Sequence, residues 1–314
     1  MPWSADANRR DPRMTRLKVA VISASAGNWP LYVAQDKGYF AAEGLEVQLT
    51  VTRSSVKHME DLKAGGVYDL GIQAADHIIR AVEAGSDLFM LLGVSTPNQS
   101  LIVRPDVRSY ADLRGGKIGV DGLATGFALL LRGLLRQNGL QEGRDYELVQ
   151  VGGTGERFDA VLEGVVAGAF LDGPTDLVAE SLGFHRLGGN LDYLPEYQGT
   201  VAATRRSWAC DNEAAVLRFI RAYVAASDWL HQREHREEAS DILCGHLPAG
   251  RDLAAQTYDR YMQSRTFNSR ARLNVAGVSA AIEVMAATGQ LPGVPGDPSR
   301  YCDLSLYERA MGAL

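Results

Sequence analysis

The alternation of apolar and polar positions over the first fifty residues gives the chain its organising unit. Leu17-Lys18-Val19-Ala20-Val21-Ile22 is rich in β-branched residues and reads as a buried strand. Small residues fill 23–27, then come Asn28, Trp29 and Pro30. Proline suits a first helical turn because its missing N–H would have had no partner there. Leu31, Val33 and Ala34 open an apolar stripe that Tyr39 and Phe40 continue, and Gly44 supplies a left-handed cap. Residues 45–49 then alternate as a second strand. The pattern predicts a βαβ unit whose helix start carries free backbone N–H groups, a natural place to hold a small ligand.

The pattern recurs later in the chain. Residues 61–77 run helix end, turn, short strand and new helix, and 161–176 repeat that order. Lys117-Ile118-Gly119-Val120, the turn 121–126 and the apolar stretch 127–137 repeat the opening unit. Two similar α/β lobes are the simplest reading. The expected boundaries are a polar leader at 1–13, a first lobe built from 14–102 and 200–314, and a second lobe at 103–199. The chain is expected to cross between lobes near 93–104 and return near 199–204. After the return, apolar stripes predict helices at 213–231, 252–262 and 278–288.

Several short stretches resemble the type II periplasmic-binding-protein fold, in particular its NMT1/THI5-like and sulfonate, taurine and nitrate-binding group. They are Pro30-Leu31-Tyr32-Val33-Ala34, Gly38-Tyr39-Phe40, Glu43-Gly44-Leu45-Glu46-Val47, Asp69-Leu70-Gly71 and the run from Ser109 to Val120. The resemblance spans nearly everything from Arg16 to about Leu291. It implies an α/β fold of two lobes, each a mixed sheet flanked by helices, with a ligand cleft between them. It also implies a small-molecule ligand, no cofactor, and an ABC permease as partner if the chain is exported. It says little about which ligand, because members of the group take very different small molecules.

Composition narrows the alternatives. With 314 residues there is enough chain for two full cores. The net charge of −6 is dispersed, and nucleic-acid binding would need a basic face. Cys210, Cys244 and Cys302 are odd in number and far apart, so no disulfide framework is visible. No stretch is long and apolar enough to span a membrane. The arginine-rich leader, expected to be disordered, has no hydrophobic segment of the secretory kind. The expected location is therefore periplasmic if a signal has been removed and cytoplasmic otherwise.

In the fold that the resemblance implies, the ligand lies at the C-terminal ends of the strands. The matching positions here are Ser25, Asn28, Trp29, Tyr32, Gln73, Asp76, Thr125, Gly126, Gly153, Thr154, Asp172 and Asp176. Several open helices, which favours a carboxylate, sulfonate or phosphate, with Arg157 a further anion partner. Trp29 and Tyr32 suit stacking on a ring, though Trp29 equally suits packing within the lobe. Asp76, Asp121, Asp172 and Asp176 pull the other way, toward a ligand with N–H or ammonium donors. Asp76 and Asp176 are also good helix N-caps, and capping is the simpler reading of each.

Other chemistry fits less well. His231-Gln232-Arg233-Glu234-His235 matches the H-x-x-E-H metal pattern but sits in a charge run, where a solvated face is expected. No metal site is therefore expected. Ser25 stands at a strand–helix turn without the flanking glycine of a nucleophile elbow. Gly152-Gly153-Thr154-Gly155 does not complete a dinucleotide fingerprint. The alternative to a binding protein is a cytoplasmic lyase, decarboxylase or hydrolase on the same fold, using Ser25, Asp76 or His77 as acid or base. The enzymes of this fold with a cysteine-rich motif, or with a cysteine after the first strand, are a poor match, because residues 23–28 hold serines and no thiol.

Overall fold

The computed structural model describes residues 14–291 and 296–312, so the expected leader lies outside the described residues. Ten strands form two sheets. They are β1 (Thr15–Val21), β2 (Leu45–Val51), β3 (Leu70–Ala74), β4 (Leu88–Ser95), β5 (Ser100–Val103), β6 (Gly116–Val120), β7 (Tyr146–Gln150), β8 (Gly168–Leu171), β9 (His185–Gly189) and β10 (Thr200–Arg205). The first sheet has the order β2-β1-β3-β10-β4 and the second β7-β6-β8-β5-β9. In each, four strands run in one direction and one, β10 in the first sheet and β5 in the second, runs antiparallel between two of them. The repeat read from the sequence is therefore a repeat of sheet topology, and both sheets are mixed.

The chain changes sheets twice, between β4 and β5 and between β9 and β10. The first crossing comes earlier than the boundary at 102, because β5 pairs with β8 and β9 in the second sheet. The short run 96–99 between the sheets is laced to the return. Gln198 donates its amide to the Ser95 and Thr200 carbonyls at 3.2 and 2.8 Å, and Asn190 binds Gln99 N–H and the Pro97 carbonyl. Gly199 packs so closely on Pro97 that a Cβ there would lie 2.5 Å from the ring.

The opening helix is shorter than its stripe implies. It runs Trp29–Asp36, then breaks at Gly38, whose φ of 74° lies in the left-handed region, before a single turn at Tyr39–Ala42. The later helices lie close to the expected ranges, at Glu213–Leu230, Arg251–Gln263 and Val275–Ala287. Glu213–Leu230 covers one face of the first sheet, burying Val216, Phe219, Ile220 and Tyr223 with Trp29 and Leu31. The opposite face belongs to a core that runs on into the second lobe. Ile78 and Val82 from the first lobe share it with Ile118, Leu129 and Leu134 from the second, and Val278 and Ile282 sit between. Burial of this continuous apolar surface, at about 25 cal/mol per Å², is what joins the lobes along that side.

Candidate functional site

The segments that follow β3, β6 and β8 carry contacts between the lobes, at Asp76, Gly126 and Asp176. The expected site residues divide there into those that turn inward and those that present polar atoms to the other lobe.

The residues after β1 mostly turn inward. Trp29 is 0 % exposed, donates its indole N–H to the Ala239 carbonyl at 3.0 Å and packs edge-on to Tyr258. It is lobe core, and the expectation of a ligand stack at Trp29 is corrected. Tyr32 is also buried, with its ring stacked on His246 at 4.1 Å. Burial raises its phenol above the ordinary value, opposed by hydrogen bonds with the Asn28 side chain and the Ser25 backbone. Asn28 is buried and donates to the Ser23 carbonyl at 2.8 Å. Asn28 and Tyr32 therefore hold the loop from beneath rather than facing a ligand. Ser25 is the half-buried member of the group.

Asp76 and Asp176 correct the capping reading. Each sits at the second position of its helix rather than at the N-cap; Asp76 bonds no backbone N–H of its own helix, and within its helix Asp176 accepts from the adjacent Leu177 N–H at 2.8 Å. Asp76, 1 % exposed, reaches across the lobes, where its Oδ2 accepts from Gly126 N–H at 3.1 Å and from the Arg80 guanidinium. Arg80 also donates to the Ala124 carbonyl of the second lobe at 3.2 Å. Asp176, 1 % exposed, accepts from Ser100 Oγ at 2.9 Å and from Arg260 Nη1 at 2.6 Å. Arg260 lies on Arg251–Gln263, which also brings Tyr261 against Gly173. Two charged ties thus join the lobes.

Within the second lobe the aspartate after β6 and the aspartate after β8 are each paired with a threonine. Thr125 caps Gly126–Gln137 by accepting from Ala128 N–H, and donates to Asp121 Oδ1 at 2.7 Å. Thr154 donates to Asp172 Oδ1 at 2.6 Å. Asp172 is half-buried, and burial raises its carboxyl above the usual range against the pull of Thr154 and Arg157. Gly153 is exposed at the start of Thr154–Leu162. Arg157 is not the anion partner its position implied. It is 4 % exposed and spends its donors on the Phe170 carbonyl (2.8 Å), the Gly152 carbonyl (2.7 Å) and Thr154 Oγ1 (3.2 Å).

On the first lobe, Gln73 is buried with its carbonyl 3.4 Å from His77 Nδ1 and its amide nitrogen without a partner among the described residues. His77 Nε2 is 4.0 Å from Asp76. Sequence reasoning missed Tyr197, whose buried hydroxyl also has no partner and lies 2.6 Å from where a Cβ on Gly126 would stand. It missed Arg80 and Arg260 as well, since the partner of a charge is set by tertiary approach. Arg53, after β2, holds φ 57° and is exposed.

The H-x-x-E-H stretch does not build a metal centre. His231 and His235 each direct Nδ1 to a backbone carbonyl, at 2.7 and 2.9 Å, and His235 stacks on Trp229. Among the described residues no group of three or more His, Cys, Asp or Glu side chains is placed to hold a metal ion.

Two five-stranded mixed sheets, crossed twice by the chain, define the two-lobed periplasmic-binding-protein class. The model of the family described as NMT1/THI5 like matches residues 26–238, and the chain belongs to that family. Among curated proteins it is similar to YtlA of Bacillus subtilis (strain 168), named there as a binding protein, at 22% identity over 292 residues, 91% of this chain and 87% of that one. Among solved structures it is similar to the ligand-binding component of an ABC-type import system from Staphylococcus aureus, solved with zinc bound. That match has a TM-score of 0.80 at 15% identity, covering 95% of this chain and 99% of the other. The periplasmic nitrate-binding protein NrtA from Synechocystis PCC 6803 matches with a TM-score of 0.79 at 16% identity, covering 97% and 90%. At such identities the structural likeness establishes the fold.

Proposed function

We propose that the chain is a small-molecule binding protein of the ABC-import type, which closes its two lobes on a small organic ligand. The observation that carries this reading is the pair of ties, Asp76 to Gly126 and Arg260 to Asp176. These are polar contacts between lobes, of the kind that two rigid bodies break and remake on opening. Ser25, Thr125, Gly153, Thr154 and Asp172 present the remaining polar surface at the strand ends and would contact the ligand. In this reading the protein works outside the cytoplasm and hands its ligand to an ABC permease. No described helix is long and apolar enough to cross a membrane, so docking to the permease would be through the lobes.

The test is a thermal-shift screen of small carboxylates, sulfonates, amines and heteroaromatic compounds, with each hit recovered and weighed by mass spectrometry. A ligand at a hundred times its dissociation constant adds about 2.7 kcal/mol of stability. A hit recovered unchanged supports the reading. A hit recovered with a new mass replaces it with cleft catalysis.

A further inference from the structure

A row of polar side chains in the first lobe leads to the Asp76–Gly126 tie. His58 comes from helix Ser55–Ala64, Gln73 from β3, and His77 from helix Ala75–Glu83, one residue after Asp76. His58 is fully buried and lies so close to Gly71 of β3 that a Cβ there would strike its ring. Gly71 and Gln73 are two apart on one strand and share a face of the sheet. Both His58 nitrogens and the Gln73 amide nitrogen are buried without partners among the described residues, which costs free energy.

His77 is the member that reaches the tie. Its Nδ1 is 3.4 Å from Gln73 Oε1 and its Nε2 is 4.0 Å from Asp76 Oδ2, so both ring nitrogens face acceptor oxygens. A neutral imidazole carries one N–H and serves one of them, whereas an imidazolium carries two and serves both. The shorter contact is the one a neutral ring makes, and the longer one is closed by a second proton. Asp76 Oδ2 is the same atom that accepts from Gly126 N–H across the lobes, at 3.1 Å, and from Arg80. A proton gained at His77 therefore adds a third, charged donor to the oxygen that joins the lobes.

The groups acting on this ring come from three elements. Asp76 and Arg80 stand on its own helix, Gln73 on β3 is neutral, and His58 acts from Ser55–Ala64, where Asp61 acts on His58 in turn. Burial, helped by His77, lowers the pKa of His58 to about 4, so His58 stays neutral while an ordinary histidine titrates. Tyr197, the further titratable group near Asp76, is held protonated by burial.

We propose, resting on the binding-protein reading above, that His77 is a proton-operated release for the tie between the lobes. Once charged, it draws the Asp76 carboxylate toward its own helix and weakens the bond to Gly126 N–H. Asp76 meets His77 fully only when Gly126 has left, so the open arrangement binds the proton more tightly, and by linkage acid favours opening.

The experiment measures the interlobe distance of the ligand-free full chain by pulsed electron resonance. Spin labels are carried by Glu46→Cys on the first lobe and Glu163→Cys on the second, both exposed positions, in a background of Cys210→Ser and Cys244→Ser. With His77 intact, the ratio of the short, tied distance to longer ones is expected to fall at least about fivefold between about pH 8 and about pH 5. His77→Gln keeps a neutral N–H donor and takes up no proton, so its distribution should be the same at both pH values. His77→Lys, charged throughout, should already show the longer distances at the higher pH. The proposal is overturned by a His77 chain with one distribution at both pH values, by a His77→Gln chain that opens in acid as His77 does, or by a His77→Lys chain that stays tied. None of these results touches the broader reading, which stands or falls on whether a compound in the ligand screen binds and is recovered unchanged.

Discussion

Replacing Gly126 with alanine puts a single methyl group into a tight polar contact between the lobes. Helix propensity alone favours the change, since glycine is roughly 1 kcal/mol worse than alanine inside a helix. The structure says the opposite. The new Cβ would lie 2.6 Å from the Tyr197 hydroxyl and 2.9 Å from Asp76 Oδ1, with the Asp76 carboxyl carbon at 3.1 Å. Ordinary contact begins at 3.4 Å, so the tyrosine must retreat by about 0.8 Å and the carboxylate by about 0.5 Å. Neither is free to do so. Tyr197 is 2 % exposed in the core shared by both lobes, and Asp76 is held by Arg80 and by Gly126 itself. Overpacking of this kind costs about 1–3 kcal/mol, and weakening the charged bond to Gly126 N–H adds about 1 kcal/mol or more. The net expectation is a loss of about 2–3 kcal/mol in urea unfolding, with a lowered midpoint and an unchanged slope. The same wedge pushes the lobes apart, so small-angle scattering should show a larger radius of gyration. A variant as stable as the wild type, or more stable, would refute the close approach of Asp76, Tyr197 and Gly126.

Four further outcomes follow from particular contacts. Arg260→Ala strips the cation from Asp176, a carboxylate 1 % exposed, and should cost about 3 kcal/mol in chemical denaturation, while pairing it with Asp176→Asn should recover much of that loss. His58 is fully buried with both ring nitrogens unpartnered among the described residues, and burial, helped by His77, lowers its pKa to about 4. The unfolded chain therefore binds a proton below about pH 6.5 that the folded chain refuses until about pH 4, so stability present above pH 6.5 is lost as the pH falls through that window, by up to about 3 kcal/mol. His58→Leu should remove that slope and leave the neutral-pH stability equal or higher, as read from urea midpoints between pH 4 and 8. Trp29→Phe should lose about 1–3 kcal/mol through its bond to Ala239 and its packing, and leave ligand affinity within about twofold by calorimetry.

The architecture was legible because it is written in local patterns. The β-branched run at 17–22 and the apolar stripes at 31–34 and 213–231 each specify an element without outside help. The repeated order of strand, turn and helix then specified two lobes. Gly38 shows the limit of that reading. Its left-handed φ breaks a helix whose stripe runs on without interruption.

The site was harder to read because its partners are distant in sequence. Asp76 is an ordinary first-turn aspartate until Gly126, fifty residues on, arrives beside it. Trp29 reads as a ligand contact until helix Arg236–His246 brings the Ala239 carbonyl to its indole. Arg157 reads as a free cation until Gly152 and Phe170 present their carbonyls to it. The helix starts at Thr125 and Thr154 were visible because a threonine before an apolar run is a local signal, and helices open there at Gly126 and Thr154.

The central claim is that the lobes close around a bound small molecule, and an interlobe distance measured with and without ligand tests it most directly. Spin labels at exposed Lys57 on the first lobe and exposed Glu156 on the second would report it by pulsed electron resonance. With the ligand found in the screen at saturation, the account predicts one narrow distance matching the tied arrangement described here. Without ligand it predicts a broader distribution extending to longer distances. A distribution unchanged by a saturating ligand would contradict closure, and with it the reading of this face as the place where the ligand is held.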